Sequence, residues 1–389
     1  MPSTAATPSS VLLFQGHSDF DSVNAMVAHC ADGLAALGFA PRVLDVREAD
    51  HIARALAVIR SGRLAFTLCL SGMGLPDAGH GQGFYTETDA PVVALWLDHP
   101  VFLYPRLRLP VARLVSTFPA PHHVAFCRAK VRSDRPALHL AHAATRTTTR
   151  PWRARDIPVL FSGSTLHAEP EMTRAGWADA YGATVAQELN AVIEEHFTAP
   201  ARPLEDAITK IVGDPPVEKL YAYYKVADDY LRSRAKVAFL NAAARLPVTV
   251  IGRGWQGLAT DGGSRLKVLP EMPAPRVAEL MAQSRIVLNL LPPYFGSHER
   301  PFQAMAAGAV AATLPLTWFD AAVAKDAYLA LPYEPAACAE ALAAALERDD
   351  QLAATAAAGT AAFLAGHTWR HRMAGLIAAL KIAAPAGTG

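Results

Sequence analysis

The sequence has almost no net charge: 36 lysines and arginines face 35 aspartates and glutamates, a formal balance of +1. No broad electrostatic field therefore exists to hold a nucleic acid through many phosphates, and a small or locally recognised ligand is expected. Cysteine is scarce as well. Cys30, Cys69, Cys127 and Cys338 lie far apart without a C-x-x-C spacing, which excludes a disulfide frame or a zinc ribbon and reads as reduced core thiols of a cytoplasmic protein. Long apolar runs are missing too. "MPSTAATPSS" carries no positive charge ahead of "VLLF", and that run is four residues long, so neither a signal peptide nor a membrane span is expected. No fixed-period repeat is present.

What remains is an ordinary globular composition, 52% hydrophobic and 18% charged, over 389 residues, which suits two domains with well-buried cores. Short apolar runs alternate with helical patterns throughout. "VLLF" (11–14), "RVLDV" (42–46), "LAFTLCLSG", "PVVALWLDHP" and "ARLVSTFP" read as strands in the first part, with "VAFC" (124–127) as a further candidate. After the polar, basic segment "TRTTTRPWRARD" (145–156) the pattern restarts with "IPVLFSGS" (157–164). A long helical region follows from about 170 to 245, then "VTVIGRGW", "LKVLP", "IVLNLLP", "VAATLP" and "AYLALPY" as strands. Continuously apolar strands separated by helices belong in parallel sheets covered on both faces. The expected fold is α/β, with two Rossmann-like doubly wound lobes facing across a cleft. Residues 1–150 form the first lobe, 151–365 the second, and 366–389 a terminal helix that crosses back to the first, ending in a disordered tail. Ligand crevices in such sheets lie at the carboxyl ends of the strands.

The segment "YFGSHERPFQAMAAGAVAATLP" (294–315) carries the clearest chemistry. The strand "IVLNLLP" runs into the loop "PYFGSHER", with Ser297 and His298, and then into a helix that has Pro301 at its first position and Phe302 on one face. The unpaired N–H groups and positive dipole end of such a helix form an anion site. Arg300 adds a planar fork suited to phosphate oxygens, and Gln303, one turn along, can reach sugar hydroxyls. Together they suit a nucleoside diphosphate. Gly163 and Ser164, after "VLFS", offer backbone N–H groups to a phosphate, or form a plain turn. The glycines at 252 and 254 are a tight turn or a ligand contact, and Trp255 is a packing residue or a base platform.

The stretches "VTVIGRGW", "LNLLPPYFGSHERPFQAMAAGAVAATLP" and "HTWRHRM", in that order, resemble the carboxyl-terminal half of GT-B glycosyltransferases, in particular the branch related to spore-maturation protein CgeB. "APVVALWLDHP" is similar to the W-x-x-D-x-P of that branch. The resemblance implies a hexosyltransferase-like enzyme that takes its sugar from a nucleotide-sugar co-substrate, with no other cofactor. Gly252, Arg253, Gly254 and Trp255 would line the donor nucleotide, Arg300 would contact the diphosphate, and Gln303 would stand where the family has a glutamate holding the ribose diol. That glutamine is the main departure, and it bears on donor choice and on activity itself. The resemblance leans towards retention of configuration.

The acceptor, whether glycan, protein or small molecule, is expected on the first lobe. There His17 in "FQGHSDFD" and Asp98 in "WLDHP" follow strands and are candidates to take or orient the attacking proton. The glycine-rich loop 71–83 is a further candidate for substrate contact. No metal is expected: "DFD" (19–21) has a metal-binding spacing but stands in the wrong lobe for donor phosphates, and the cationic helix start would receive the leaving diphosphate instead. His367, His371 and Arg372 read as hinge and packing residues of the last helix. Two rival classes stay open. One is a catalytically silent GT-B-like module that binds a sugar nucleotide or a partner protein. The other is an NAD-dependent oxidoreductase, for which Asp45 ends the second strand suitably but "FQGHSDFD" lacks the glycines.

Overall fold

The structure is a computed structural model that describes residues 9–77, 81–256, 258 and 262–383. Residues 78–80 of the glycine-rich loop, including His80, and the tail expected at 384–389 lie outside the described residues. The chain divides into two compact units, the first comprising the residues up to Thr145 and those from His367 onward, the second spanning Arg146–Gly366.

The first unit holds a six-stranded sheet of β1 (Ser10–Gln15), β2 (Ala40–Asp45), β3 (Leu64–Leu70), β4 (Val92–Leu95), β5 (Leu114–Phe118) and β6 (Ala137–His139), in the order β2-β1-β3-β4-β5-β6. Every pairing is parallel. The uninterrupted apolar run of β1 follows from burial on both faces. Val11 and Leu13 pack into one core with Met26, Cys30 and Trp369, while Leu12 and Phe14 pack into a second with Trp96 and Phe118. The chain leaves β1 for β2 on one side and reaches β3 on the other, so the direction of winding switches between β1 and β3.

The stretch "VAFC" is not a strand. Pro121 fixes the backbone at the first position of the helix Pro121–Phe126, which continues as a π-helical turn over Cys127–Val131. The last helix, Trp369–Ala379, belongs to this unit. Its first turn sits against Gly33 of the helix Ser22–Ala35, where a Cβ would lie 3.1 Å from the Arg370 nitrogen. Arg372 donates from Nε to the Ala141 carbonyl at 3.0 Å and from Nη2 to the His142 carbonyl at 3.1 Å, which makes it a packing clamp. Among the described residues no helix is long and apolar enough to cross a membrane.

The second unit repeats the plan with β7 (Ile157–Ser162), β8 (Val248–Ile251), β9 (Lys267–Leu269), β10 (Ser284–Asn289), β11 (Val310–Thr313) and β12 (Leu329–Ala330), ordered β12-β11-β10-β7-β8-β9 and again parallel. Winding switches here between β7 and β10. The long helical region resolves into separate helices that end in the Val217–Ala242 helix, with breaks at the glycines 182 and 213 and at the two proline-containing loops.

Candidate functional site

The loops that leave β7, β8 and β10 meet at the switch point of the second unit. After β7, Gly163 donates its N–H to the Ile251 carbonyl at 2.9 Å and Thr165 donates to the Arg253 carbonyl at 3.0 Å, so the β7 and β8 loops are laced together. Arg253 returns a backbone N–H to Ser164 Oγ at 3.0 Å. This lacing explains the two glycines. Gly252 stands at φ 138° and Gly254 at φ 85°, and a Cβ on either would come within 2.3 Å of a carbonyl oxygen of the opposite loop. They permit close approach of two backbones. Trp255 is 5% exposed, stands edge-on to Phe161 at 5.8 Å and donates Nε1–H to the Gly163 carbonyl at 3.0 Å. It is a core anchor, and its burial and its occupied N–H exclude the base platform allowed for above.

The helix after β10 begins at Glu299, two residues before Pro301, because His298 caps it by accepting the Arg300 N–H on Nδ1 at 3.3 Å. His298 also approaches Glu299 Oε2 at 3.2 Å. With one N–H capped by a ring and Pro301 supplying none, the helix start offers fewer donors than the sequence reading expected. Phe302 is fully buried against Phe319, and Ser297 is 2% exposed. Both pack the helix in place, and the Phe302 ring is closed to a ligand. Gln303 is half-buried, and its side-chain amide hydrogen-bonds to no described residue.

Positive charge comes from side chains instead. Arg300 Nη1 donates to Asn289 Oδ1 at 3.0 Å, its guanidinium lies 5.6 Å from the Phe161 ring centroid, and no carboxylate of the described residues pairs with it. Asn289, the last residue of β10, is itself held by donation to Thr313 Oγ1 at the end of β11, at 3.0 Å. Two residues that the sequence reading missed complete the set. On the Val217–Ala242 helix, Asp228, Arg232 and Lys236 follow at i, i+4 and i+8 and share one face. Lys236 donates to the Ser164 carbonyl at 2.6 Å. Arg232 approaches Asp228 at 3.5 Å, and buried Asp228 accepts from the Tyr294 hydroxyl at 2.6 Å. Burial, and then the like charges of Arg232 and Arg300, push the Lys236 ammonium down to about 7, although the residue as a whole is only half-buried. Burial also lowers Arg300, offset in part by Glu299. Arg232, Lys236 and Arg300 thus stand close enough to disfavour one another's charge, offset in part by Asp228, Asp229 and Glu299.

In the first unit, His17 and Asp98 are exposed beyond the carboxyl ends of β1 and β4. The turn at His17 is clamped by Asn24, which accepts the Gly16 N–H at 3.0 Å and donates to the Gly16 carbonyl at 2.8 Å. Phe20, Asp21 and Ser71 hold left-handed φ values of 55°, 60° and 49°, so non-glycine strain collects where the winding switches between β1 and β3. Asp45 is occupied by its own chain: Arg47 donates to it from N at 2.9 Å and Nε at 2.8 Å, and holds the carboxylate well below its usual range. It is not available to a ribose, which removes the main support for the dinucleotide reading.

Residues 232–378 match a family model described as glycosyl transferase-like. No curated protein matches the chain. Among solved structures, an α-glucosyltransferase (AGT) in complex with UDP superposes with a TM-score of 0.56 at 8% identity, covering 96% of this chain and 100% of that one. Anabaena Alr3699/HepE in complex with UDP and glucose gives 0.51 at 11%, covering 96% and 99%. T4 phage BGT in complex with UDP and Mn2+ gives 0.51 at 9%, covering 96% and 98%. At these identities the superpositions establish the fold. The chain therefore carries a glycosyl transferase-like segment over residues 232–378, and its two parallel, doubly wound sheets share the GT-B fold.

Proposed function

We propose that the second unit binds the diphosphate of a nucleotide-sugar donor between Arg300 and Lys236, and that the chain transfers the sugar to an acceptor hydroxyl. The observation that carries this reading is the group of three cations, Arg232, Lys236 and Arg300, gathered at the carboxyl ends of β7 and β10. A diphosphate brings two close negative groups to cations that repel one another. Arg300 meets it as a fork and Lys236 as a point charge, while the N–H of Ser164 makes no hydrogen bond to the described protein. As the bond to the sugar breaks, charge builds on the leaving diphosphate, and fixed cations in a partly desolvated site stabilise that charge most. The donor phosphates need no metal in this reading. UDP in the similar structures supports a uridine nucleotide as the first donor to test.

Gln303 takes a ribose hydroxyl through its amide where the CgeB-related branch has a glutamate, a departure that bears on donor choice and on activity. The acceptor belongs to the first unit, oriented by His17 or Asp98. The domain limits 1–150, 151–365 and 366–389 stay as the functional division into acceptor, donor and terminal segments.

Incubation of the full chain with UDP-glucose and related sugar nucleotides, with free UDP as the readout, tests the proposal. Turnover that disappears in Arg300→Ala supports it. A protein that binds sugar nucleotides tightly but turns none over is a silent binding module instead.

A further inference from the structure

We propose that His99, His122 and His123 form a binding site for one divalent transition-metal ion of the zinc class, separate from the donor site. The three imidazoles come from the carboxyl ends of β4 and β5: His99 follows "WLD", and His122 and His123 open the helix Pro121–Phe126. One ring nitrogen from each lies within 4.8 Å of the others. The rings are close, with His122 and His123 centroids 4.4 Å apart and His99 and His123 centroids 4.6 Å apart, both pairs nearly perpendicular. His99 and His123 are 3% and 4% exposed.

His123 Nδ1 is buried without any hydrogen-bond partner. A buried nitrogen left without a partner is costly, and three imidazoles converging on one point gain most from a cation that accepts all three lone pairs. No carboxylate joins the group among the described residues, and an all-imidazole set selects a borderline ion over calcium or magnesium. Three protein ligands leave a fourth position for water or an acceptor group.

His99 makes the inference specific. Its Nδ1 now accepts the Val101 N–H at 3.1 Å, so the neutral ring carries its proton on Nε2. A metal bound at Nε2 moves that proton to Nδ1, and the Val101 bond is given up. The first turn of the helix Pro100–Leu107 should therefore respond to metal.

The test uses the purified full chain, stripped with EDTA and titrated with Co2+ as a visible probe and Zn2+ as competitor. One equivalent of Co2+ with a tetrahedral visible band, displaced by Zn2+ and accompanied by a shift of the Val101 amide resonance, is expected. His122→Ala with His123→Ala should weaken binding by more than the roughly 100-fold that loss of an outer-shell partner reaches. Circular dichroism checks that this variant folds. His123→Cys keeps a ligating atom in place and should bind Co2+ with an added thiolate charge-transfer band. No binding by the native chain, binding that survives the double substitution, or a His123→Cys protein without the thiolate band overturns the proposal. None of these outcomes touches the donor reading, which rests on the other unit.

Discussion

The ammonium of Lys236 makes donor affinity depend on pH in a calculable way. In the free protein it loses its proton near pH 7, because burial and the charges of Arg232 and Arg300 disfavour the cation. A bound diphosphate favours the charged form, so binding takes up a proton and weakens as pH rises through 7. With a free-protein value of about 7, the charged fraction drops from roughly 0.9 at pH 6 to roughly 0.03 at pH 8.5, an affinity loss of about 30-fold. A sugar nucleotide is the right probe, because its diphosphate has no titrating group in that range. Isothermal titration of UDP-glucose at several pH values measures the slope directly. Lys236→Met should bind about 10-fold or more weakly at pH 6, the cost of one hydrogen bond to a charged group, and should show no slope above pH 7. A native protein whose affinity is flat from pH 6 to 8.5, or a Lys236→Met variant with the native slope, refutes the assignment. Stability moves the opposite way. Between about pH 7 and the ordinary lysine range the unfolded chain binds more protons than the native one, so this group adds stability as pH rises, and below pH 7 its desolvated charge is a liability. The same Lys236→Met change should raise the melting temperature at pH 6 by roughly 2 °C.

Other expectations concern the scaffold around the cations. Asn289→Asp places a carboxylate against Arg300 in competition with phosphate, and should weaken donor binding by about 10-fold or more. Gly254→Ala forces a Cβ to within 2.3 Å of the Thr165 carbonyl at a left-handed φ, and should cost more than about 2 kcal/mol in denaturant unfolding. Trp255→Phe keeps the packing on Phe161 but leaves the Gly163 carbonyl without its donor, and should destabilise by about 1–3 kcal/mol in the same assay.

Much of this architecture was legible because burial on both faces leaves a simple trace. "VLLF" is continuously apolar, since successive side chains enter different cores. "VAFC" misled for the same reason, being apolar and short, and only Pro121 three residues before it marked a helix start. At the site, Arg300 was visible from its place after a strand. The glycines were visible too, although their purpose, the close passage of two loops, depends on a neighbour nearly ninety residues away. Lys236 and Arg232 were hidden inside a helix of 26 residues, where charges ordinarily mark the solvated face. The clue available in "DDYLRSRAK" was an acid and two cations spaced by four, which puts them on one face together. Trp255 and Phe302 could not be separated from ligand contacts by spacing, because a core residue next to a site and a residue in it share the same local sequence.

The most direct test of the central claim is a crystal structure of the chain with UDP. Both phosphates should lie at the carboxyl ends of β7 and β10, within hydrogen-bond distance of the Arg300 guanidinium and the Lys236 ammonium. A nucleotide bound elsewhere, with those two cations turned to other partners, would contradict the account.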